Sequence, residues 1–239
     1  MTLRLILGDQ LNLKHSWFDT VDDSICYVIM EVQQETNYVT HHVQKVVAFF
    51  NAMRQFKTDL EKKGHKVHYI EIDHKENKHT IPENLHDLIA KYQAKLFEYQ
   101  LPDEYRLDIQ LKEFCSTLSI ASNAIDTEHF LTSRTFLNTF FEGKKQLVME
   151  YFYRRIRKDF DLLMDGEKPL GGAWNYDKNN RNKWKGTPEI PKPFKIDITH
   201  TKSLAKVLYK EEIETIGTLN SDSFLYPSSR KEALLQLAY

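Results

Sequence analysis

A short apolar run, Leu3 to Leu7, breaks into Gly8-Asp9-Gln10, and a second, Ile25 to Met30, leads to Glu31, Glu35, Tyr38, His41, His42 and Lys45. Carboxylates, an amide, an aromatic ring, imidazoles and an ammonium gathered behind two apolar runs have the chemistry to bind a polar heterocycle. Gly8 permits close backbone approach, Asp9 and Glu35 accept hydrogen bonds, and Gln10 both donates and accepts. Tyr38 offers a flat face, while His41 or Lys45 reaches ring carbonyls. His41 and Lys45 stand four apart and share a helical face, whereas His42 points about 100° away. No Cys or carboxylate stands at metal-ligand spacing from the two histidines, so no metal site is expected. Singly, each residue has a plainer reading: Asp9 or Asn37 as a cap, the charges as a solvated face. The set carries the argument.

A second group of side chains is cationic. Met149-Glu-Tyr-Phe-Tyr-Arg154-Arg155-Ile-Arg157-Lys158 interleaves aromatic rings with charges, and Arg154, Arg155 and Arg157 are candidate nucleic-acid contacts along a phosphate backbone. The alternative places Tyr151, Phe152 and Ile156 in a core, with the arginines in water or paired to Asp159 and Asp161. From residue 144 to 195 there are 13 basic side chains against 7 acidic, whereas residues 1–143 carry 15 against 21. That asymmetry marks 144–195 as the segment suited to an anionic partner. Gly171-Gly-Ala-Trp174-Asn-Tyr-Asp177 reads as an ordered loop lying against another surface.

The elements that must position these groups can be read from the apolar pattern. Leu3–Gly8, Ile25–Glu31, Val67–Ile72 and Lys95–Tyr99 are expected strands buried on both faces, with Leu118–Ser122 a weaker fifth. Val43, Val46, Val47, Phe50, Met53 and Leu60 recur at helical spacing and end at Gly64. Pro82–Ala94 and Pro102–Leu118 each open with a proline suited to a first helical turn. Strand–helix alternation predicts an α/β, Rossmann-like, doubly wound parallel sheet of about five strands, with right-handed crossovers. After about residue 123 the pattern turns helical and irregular: helices over 132–141, 146–164, 199–216 and 228–239, and a polar Gly/Pro/Asn-rich stretch over 165–195. Three parts are expected: 1–124, 125–195 and 196–239.

The 239 residues are 41% hydrophobic and 28% charged, which excludes disordered, collagen-like and coiled-coil chains. No apolar run approaches the roughly 18 residues of a membrane span, and the N-terminus turns polar too early for a secretory signal. A cytoplasmic protein is expected. Cys26 and Cys115 match no zinc or iron–sulfur spacing. The phosphate-binding G-x-G-x-x-G is absent, so a dinucleotide site is unsupported.

Gly8-Asp9-Gln10-Leu11, the run Glu35-x-x-Tyr38-x-x-His41-His42-x-x-Lys45, Ala52-Met53-Arg54, Met149–Arg154 and Gly171-Gly-x-Trp-Asn-Tyr-Asp-x-x-Asn-Arg181 occur together in order. In these the chain resembles the N-terminal portion of the deoxyribodipyrimidine photolyase-related proteins, the bacterial cryptochromes and (6-4) photolyases that carry an iron–sulfur cluster. The resemblance implies an antenna domain holding 6,7-dimethyl-8-ribityllumazine, with Gly8, Asp9, Gln10, Glu35, Tyr38, His41, Lys45 and Phe49 mapping onto its pocket. It further implies that FAD, a 4Fe-4S cluster with four cysteine ligands and the DNA lesion belong to a C-terminal half that the chain lacks, so that 196–239 would begin a truncated FAD-type domain. Two departures stand out. Phe49 occupies a position where relatives can carry a smaller aliphatic side chain, and Val43-Gln44 stands where they tend to place lysines.

The expected function is therefore the antenna-chromophore-binding part of a light-driven DNA repair photolyase or cryptochrome, inactive alone. Its partners would be a small heterocyclic chromophore and, for the full-length protein, DNA. A stand-alone α/β structural or interaction module, its pocket blocked by Phe49, is the second reading. A nucleotide-binding transferase has no phosphate loop or carboxylate pair to support it. Exposed Leu204, Val207, Leu234, Leu235 and Leu237 would offer surface for self-association.

Overall fold

In the computed structural model, which describes residues 1–194, 199–219 and 224–239, the chain divides into two units. One comprises Met1–His129 with Pro193–Tyr239, the other Phe130–Lys192. The first unit is built on five strands, β1 Thr2–Leu5, β2 Ile25–Met30, β3 Val67–Ile70, β4 Leu96–Gln100 and β5 Ala121–Ile125. All pair in parallel in the order β3-β2-β1-β4-β5, which puts β1 at the centre. This is the expected Rossmann-like sheet. The weak fifth strand runs three residues later than its apolar pattern placed it, because Leu118 and Ile120 pack against the core from the connection.

Helices cover both faces. Leu3, Leu5, Cys26, Val28 and Phe97 meet α3 (Ile81–Tyr92) and α4 (Tyr105–Thr117) through Leu85, Leu88, Leu107, Leu111 and Phe114. On the opposite face Ile6, Tyr27 and Ile29 meet α2 (Val43–Lys62) through Val46, Val47, Phe50, Met53, Phe56 and Leu60. Alternate residues of β2 thus point to opposite faces, and both are apolar because helices cover both. Thr80 caps α3, its side chain accepting from the Glu83 N–H, and Pro82 sits in the first turn as expected. Pro102 instead precedes α4 by three residues, in a loop that Leu101 joins to the strand end by donating to the Ile125 carbonyl.

Chain 193–239 groups with this sheet. On α7 (Thr199–Lys210), Leu204 and Leu208 are buried in the α2 face, and Asn51 of α2 donates to the Thr201 hydroxyl at 3.1 Å. Leu204 is thus core, not free surface. The boundary expected at 195/196 lies outside the described residues. On α8 (Arg230–Ala238), capped by the reciprocal Ser229–Glu232 hydrogen bonds, Leu234, Leu235 and Leu237 are exposed. No described helix is long and apolar enough to cross a membrane.

The second unit holds α5 (Arg134–Phe141), α6 (Met149–Asp159), a two-residue ladder of β6 (Met164–Asp165) with β7 (Lys168–Pro169), and short helical turns at Leu170–Gly172 and Asp177–Arg181. The stretch 165–195, expected to be irregular, therefore contains a hairpin. The helix expected over 146–164 is shorter, ending where Arg157 turns back on the carbonyls of Leu162 and Leu163.

Candidate functional site

A cavity of about 200 Å³ opens at the carboxyl ends of β1 and β2, where the crevice of a parallel sheet lies. Seven of the eight residues expected there line it: Gly8, Asp9, Glu35, Tyr38, His41, Lys45 and Phe49. Its floor is apolar, from Leu5, Met30, Val32, Val46 and Phe50.

The backbone that presents these groups is fixed from below by Glu31, which is fully buried at the end of β2. Its carboxylate accepts from Arg54 at 2.6 and 2.8 Å, from the Tyr69 hydroxyl at 2.6 Å and from the Ile72 N–H at 2.9 Å. Although burial opposes it, the Glu31 partnership holds the Arg54 guanidinium above its ordinary pKa. Burial, with the adjacent Glu31 charge, drives the Tyr69 phenol far up. That four-way knot ties β2 to α2 and to the end of β3, so the chain from α1 (Gln33–Asn37) into α2 leaves from a rigid point.

Gln10 does not reach the cavity. Its buried amide accepts from the Leu7 N–H at 3.0 Å and donates to the Gln100 carbonyl at 3.1 Å, bracing the loop after β1 against β4. A buried amide must find such partners, and here the backbone supplies them. Gly8 does serve close approach: a Cβ there would stand 3.1 Å from Met53 Sδ and 3.2 Å from Phe49 Cδ1, inside the cavity wall.

Glu35 also differs from expectation, since its acceptors face Arg106 on α4 in a bidentate pair at 2.8 and 3.0 Å. Arg106 donates as well to Glu104, and its guanidinium lies 4.3 Å from the Tyr38 ring centroid. One face of Tyr38 is therefore occupied by a cation. Hydrogen bonding to Glu35, against an opposing burial effect and with help from Glu104, keeps Arg106 above its ordinary pKa. Sequence reasoning passed over Arg106 and Glu104. The signal was present in Pro102-Asp-Glu-Tyr-Arg106, a polar run directly behind the fourth strand, at the same sheet edge as Gly8.

His41 and Lys45 meet as expected, Lys45 Nζ donating to His41 Nδ1 at 3.1 Å, although His41 stands before the helix rather than on it. Burial, then the Lys45 charge, lowers the His41 pKa. His42 is exposed, and it also caps α2, Nδ1 accepting from the Gln44 N–H at 3.2 Å. Asp9 stands at the mouth with its carboxyl pushed up by burial and by the nearby Asp103 and Glu35 charges. Phe49 is 41% exposed and forms a wall beside Lys45, whose Nζ lies 5.9 Å from the ring.

Arg154, Arg155 and Arg157 lie in the second unit. Arg157 is buried and donates to the Leu162 and Leu163 carbonyls and to the Tyr153 hydroxyl, which removes it from any external partner. Arg154 pairs with Glu150 at 2.5 Å and Arg155 with Asp159 at 2.7 Å, each one helical turn apart. Arg155 and Lys158 remain exposed. Tyr151, offered above as core, is 62% exposed, while Phe152 packs with Phe136, Phe140 and Phe141. Trp174 is surrounded by Arg154, Arg157 and Lys158 at 5.3 to 5.8 Å.

Residues 4–224 match the family described as deoxyribodipyrimidine photo-lyase-related protein, and the chain belongs to that family. It is 34% identical over 225 residues to a (6-4) photolyase of Agrobacterium fabrum, a match covering 93% of this chain and 43% of that protein. It is 25% identical over 172 residues to the uncharacterized protein R852 of Acanthamoeba polyphaga mimivirus, covering 68% of this chain and 83% of that protein. The chain thus spans less than half the length of the bacterial photolyase.

Proposed function

We propose that this chain is the antenna-chromophore-binding part of a light-driven photolyase or cryptochrome, and that its cavity takes the ring of 6,7-dimethyl-8-ribityllumazine. The observation that carries this is the convergence of Asp9, His41, Lys45 and Phe49 on one apolar-floored cavity at the carboxyl ends of β1 and β2. Lys45 supplies a donor for a ring carbonyl, His41 Nε2–H a second, and Asp9 an acceptor at the mouth. The volume is short of the roughly 300 Å³ at which sites for whole drug-sized ligands begin, so the ring would sit inside and the ribityl chain in the mouth. When bound, the chromophore supplies light absorption; the chain's residues hold and orient it. A four-cysteine cluster does not fit this chain, whose two cysteines lie apart, one buried in β2 and one on α4. FAD, the cluster and lesion chemistry would belong to a C-terminal half, and DNA to the full-length protein, with Arg155 and Lys158 on its phosphates.

Titrating dimethylribityllumazine into the protein tests the reading by fluorescence. Quenching or a spectral shift at tens of micromolar is expected, weakened about tenfold by Lys45→Ala, the worth of roughly one hydrogen bond to a charged group. Phe49→Leu should tighten binding by opening the wall. A flat titration with the fold intact would instead favour the second reading, a stand-alone α/β module, which the high coverage of the short viral relative supports. In a full-length relative, Arg155→Glu should lessen the salt dependence of DNA binding by a slope of about 1 or more.

A further inference from the structure

The stretch that follows α7 crosses the N-terminus of α2 at Ile216, and it does so at the cavity wall. Ile216 donates its N–H to the His41 carbonyl at 2.9 Å and accepts from the Val43 N–H at 3.0 Å, a single parallel bridge at residue 42. The strap is anchored on either side, by buried Leu208 and Ile213 before it and by Leu219 and buried Phe224 after it, all packed in the α2 face. At Gly217 the strap runs against the His42 ring: a Cβ there would fall 2.0 Å from Nε2, 2.4 Å from Cδ2 and 2.7 Å from Cε1. An exposed ring with no partner would swing aside. This one cannot do so freely, because its Nδ1 caps α2. The backbone at Gly217 is also left-handed, with φ of +77°, a conformation that a side chain strains.

We infer that the segment Ile213–Leu219 positions the His41–Lys45 pair, so that a stretch the sequence pattern assigns to a separate helical part belongs to the binding site. Between them, Ile216 and the His42 cap hold both peptide groups flanking residue 42. His41 then has one backbone setting, in which its Nδ1 meets Lys45 Nζ and its ring meets the Tyr38 edge at 5.0 Å. Release of the strap leaves the His41 carbonyl and Val43 N–H to water and lets the wall drift by enough to break a 3.1 Å contact. Gly217 and Ile216 touch no ligand in this arrangement; they act through His41 and are positioning residues. This inference rests on the cavity being the heterocycle site, but its structural half does not.

Two measurements separate the two. Amide hydrogen exchange on the wild-type protein should find Ile216 and Val43 protected comparably with the first turns of α2, and exchange like an open tail would overturn the strap whatever the cavity binds. Lumazine titration should then show Gly217→Ala binding at least tenfold more weakly, a loss only partly relieved in Gly217→Ala/His42→Ala, where the collision is gone but the left-handed backbone strain stays and the α2 cap is lost. Equal binding by wild type and Gly217→Ala would overturn the positioning role. Failure of wild type to bind lumazine, with Ile216 protected, would sink the cavity reading and leave the strap standing. Should Gly217→Ala not fold, Ile216→Pro, which removes the N–H donated to His41, is the second variant: a folded protein with unweakened binding would count against the inference.

Discussion

The two units of this chain keep themselves together by different means. In the sheet unit, Leu3, Leu5, Val28, Ile29, Leu60, Leu85, Phe97 and Leu111 are all essentially inaccessible, and apolar clusters lie on both faces. In residues 130–192 only Arg157 and Pro169 are buried among the described residues, while Leu131, Leu147, Met149, Tyr151, Leu163 and Ile190 are more than half exposed. Besides the ring cluster of Phe136, Phe140, Phe141 and Phe152, local capping and charge pairing hold the second unit, through Ser133 on α5, Arg157 on the turn after α6, and the cations around Trp174. Burial of apolar area is the dominant favourable term in folding, so a unit with little of it has a shallow energy well. The cavity, which needs fixed geometry, sits in the unit that has a core.

The largest test of that contrast is truncation of matched leucines. Leu5→Ala removes a fully buried side chain from the central strand and should cost about 2–5 kcal/mol in denaturant unfolding. Leu163→Ala, 63% exposed in the second unit, should cost less than about 0.5 kcal/mol. Similar losses at the two positions would mean that residues 130–192 have a core of their own.

How much could be read beforehand follows the same division. Four of the five strands and α2 were legible because continuous apolar runs and 3.6-residue spacing report burial on two faces and on one. Six cavity residues, Gly8, Asp9, Glu35, Tyr38, His41 and Lys45, were legible because they follow strand ends, where a parallel sheet gathers its loops; Phe49 came from the family resemblance. Gln10 was misread because its amide chemistry suits a ligand and a backbone carbonyl equally, and nothing in the sequence says that Gln100 lies beside it. Glu35 was given to the ligand because its partner Arg106 is 71 residues away. Leu204 and Leu208 carry a good helical pattern, but a pattern says that a face is buried without saying against what, so the docking of α7 on α2 was invisible. In the second unit, Arg157 looked like a phosphate contact because its capping partners are carbonyls, which have no signature in side-chain type.

Charge pairs offer a sharper and smaller comparison. Glu31→Gln leaves Arg54 facing a neutral amide inside the knot at the end of β2, which should cost about 1–3 kcal/mol. Asp159→Asn, which breaks the exposed one-turn pair with Arg155, should cost about 0.5 kcal/mol or less, and salt should erase even that. Urea melts in low and high salt measure both. A Glu31→Gln effect as small as the surface pair would mean that the knot does not fix the cavity's foundation.

Acid should separate the two units without any mutation. None of the chain's 10 histidines falls between residues 130 and 192. In the sheet unit, burial lowers the pKa of His41, His65 and His68. A histidine with a depressed folded pKa is neutral in the native state when its unfolded counterpart begins to take up a proton. The unfolded state then binds more protons, so stability falls as pH drops below about 6.5 and goes on falling until the native rings protonate. In the second unit the lowered carboxyl is Glu150, held down first by hydrogen bonding from Arg154. Its contribution is present above the ordinary carboxylate range and fades only as pH falls through it. Amide protection factors, corrected for intrinsic exchange, should therefore fall in α2 and β3 between pH 7 and 5.5 while α6 is unchanged. Parallel loss in both units would show that the sheet unit's acid sensitivity does not lie in its buried histidines.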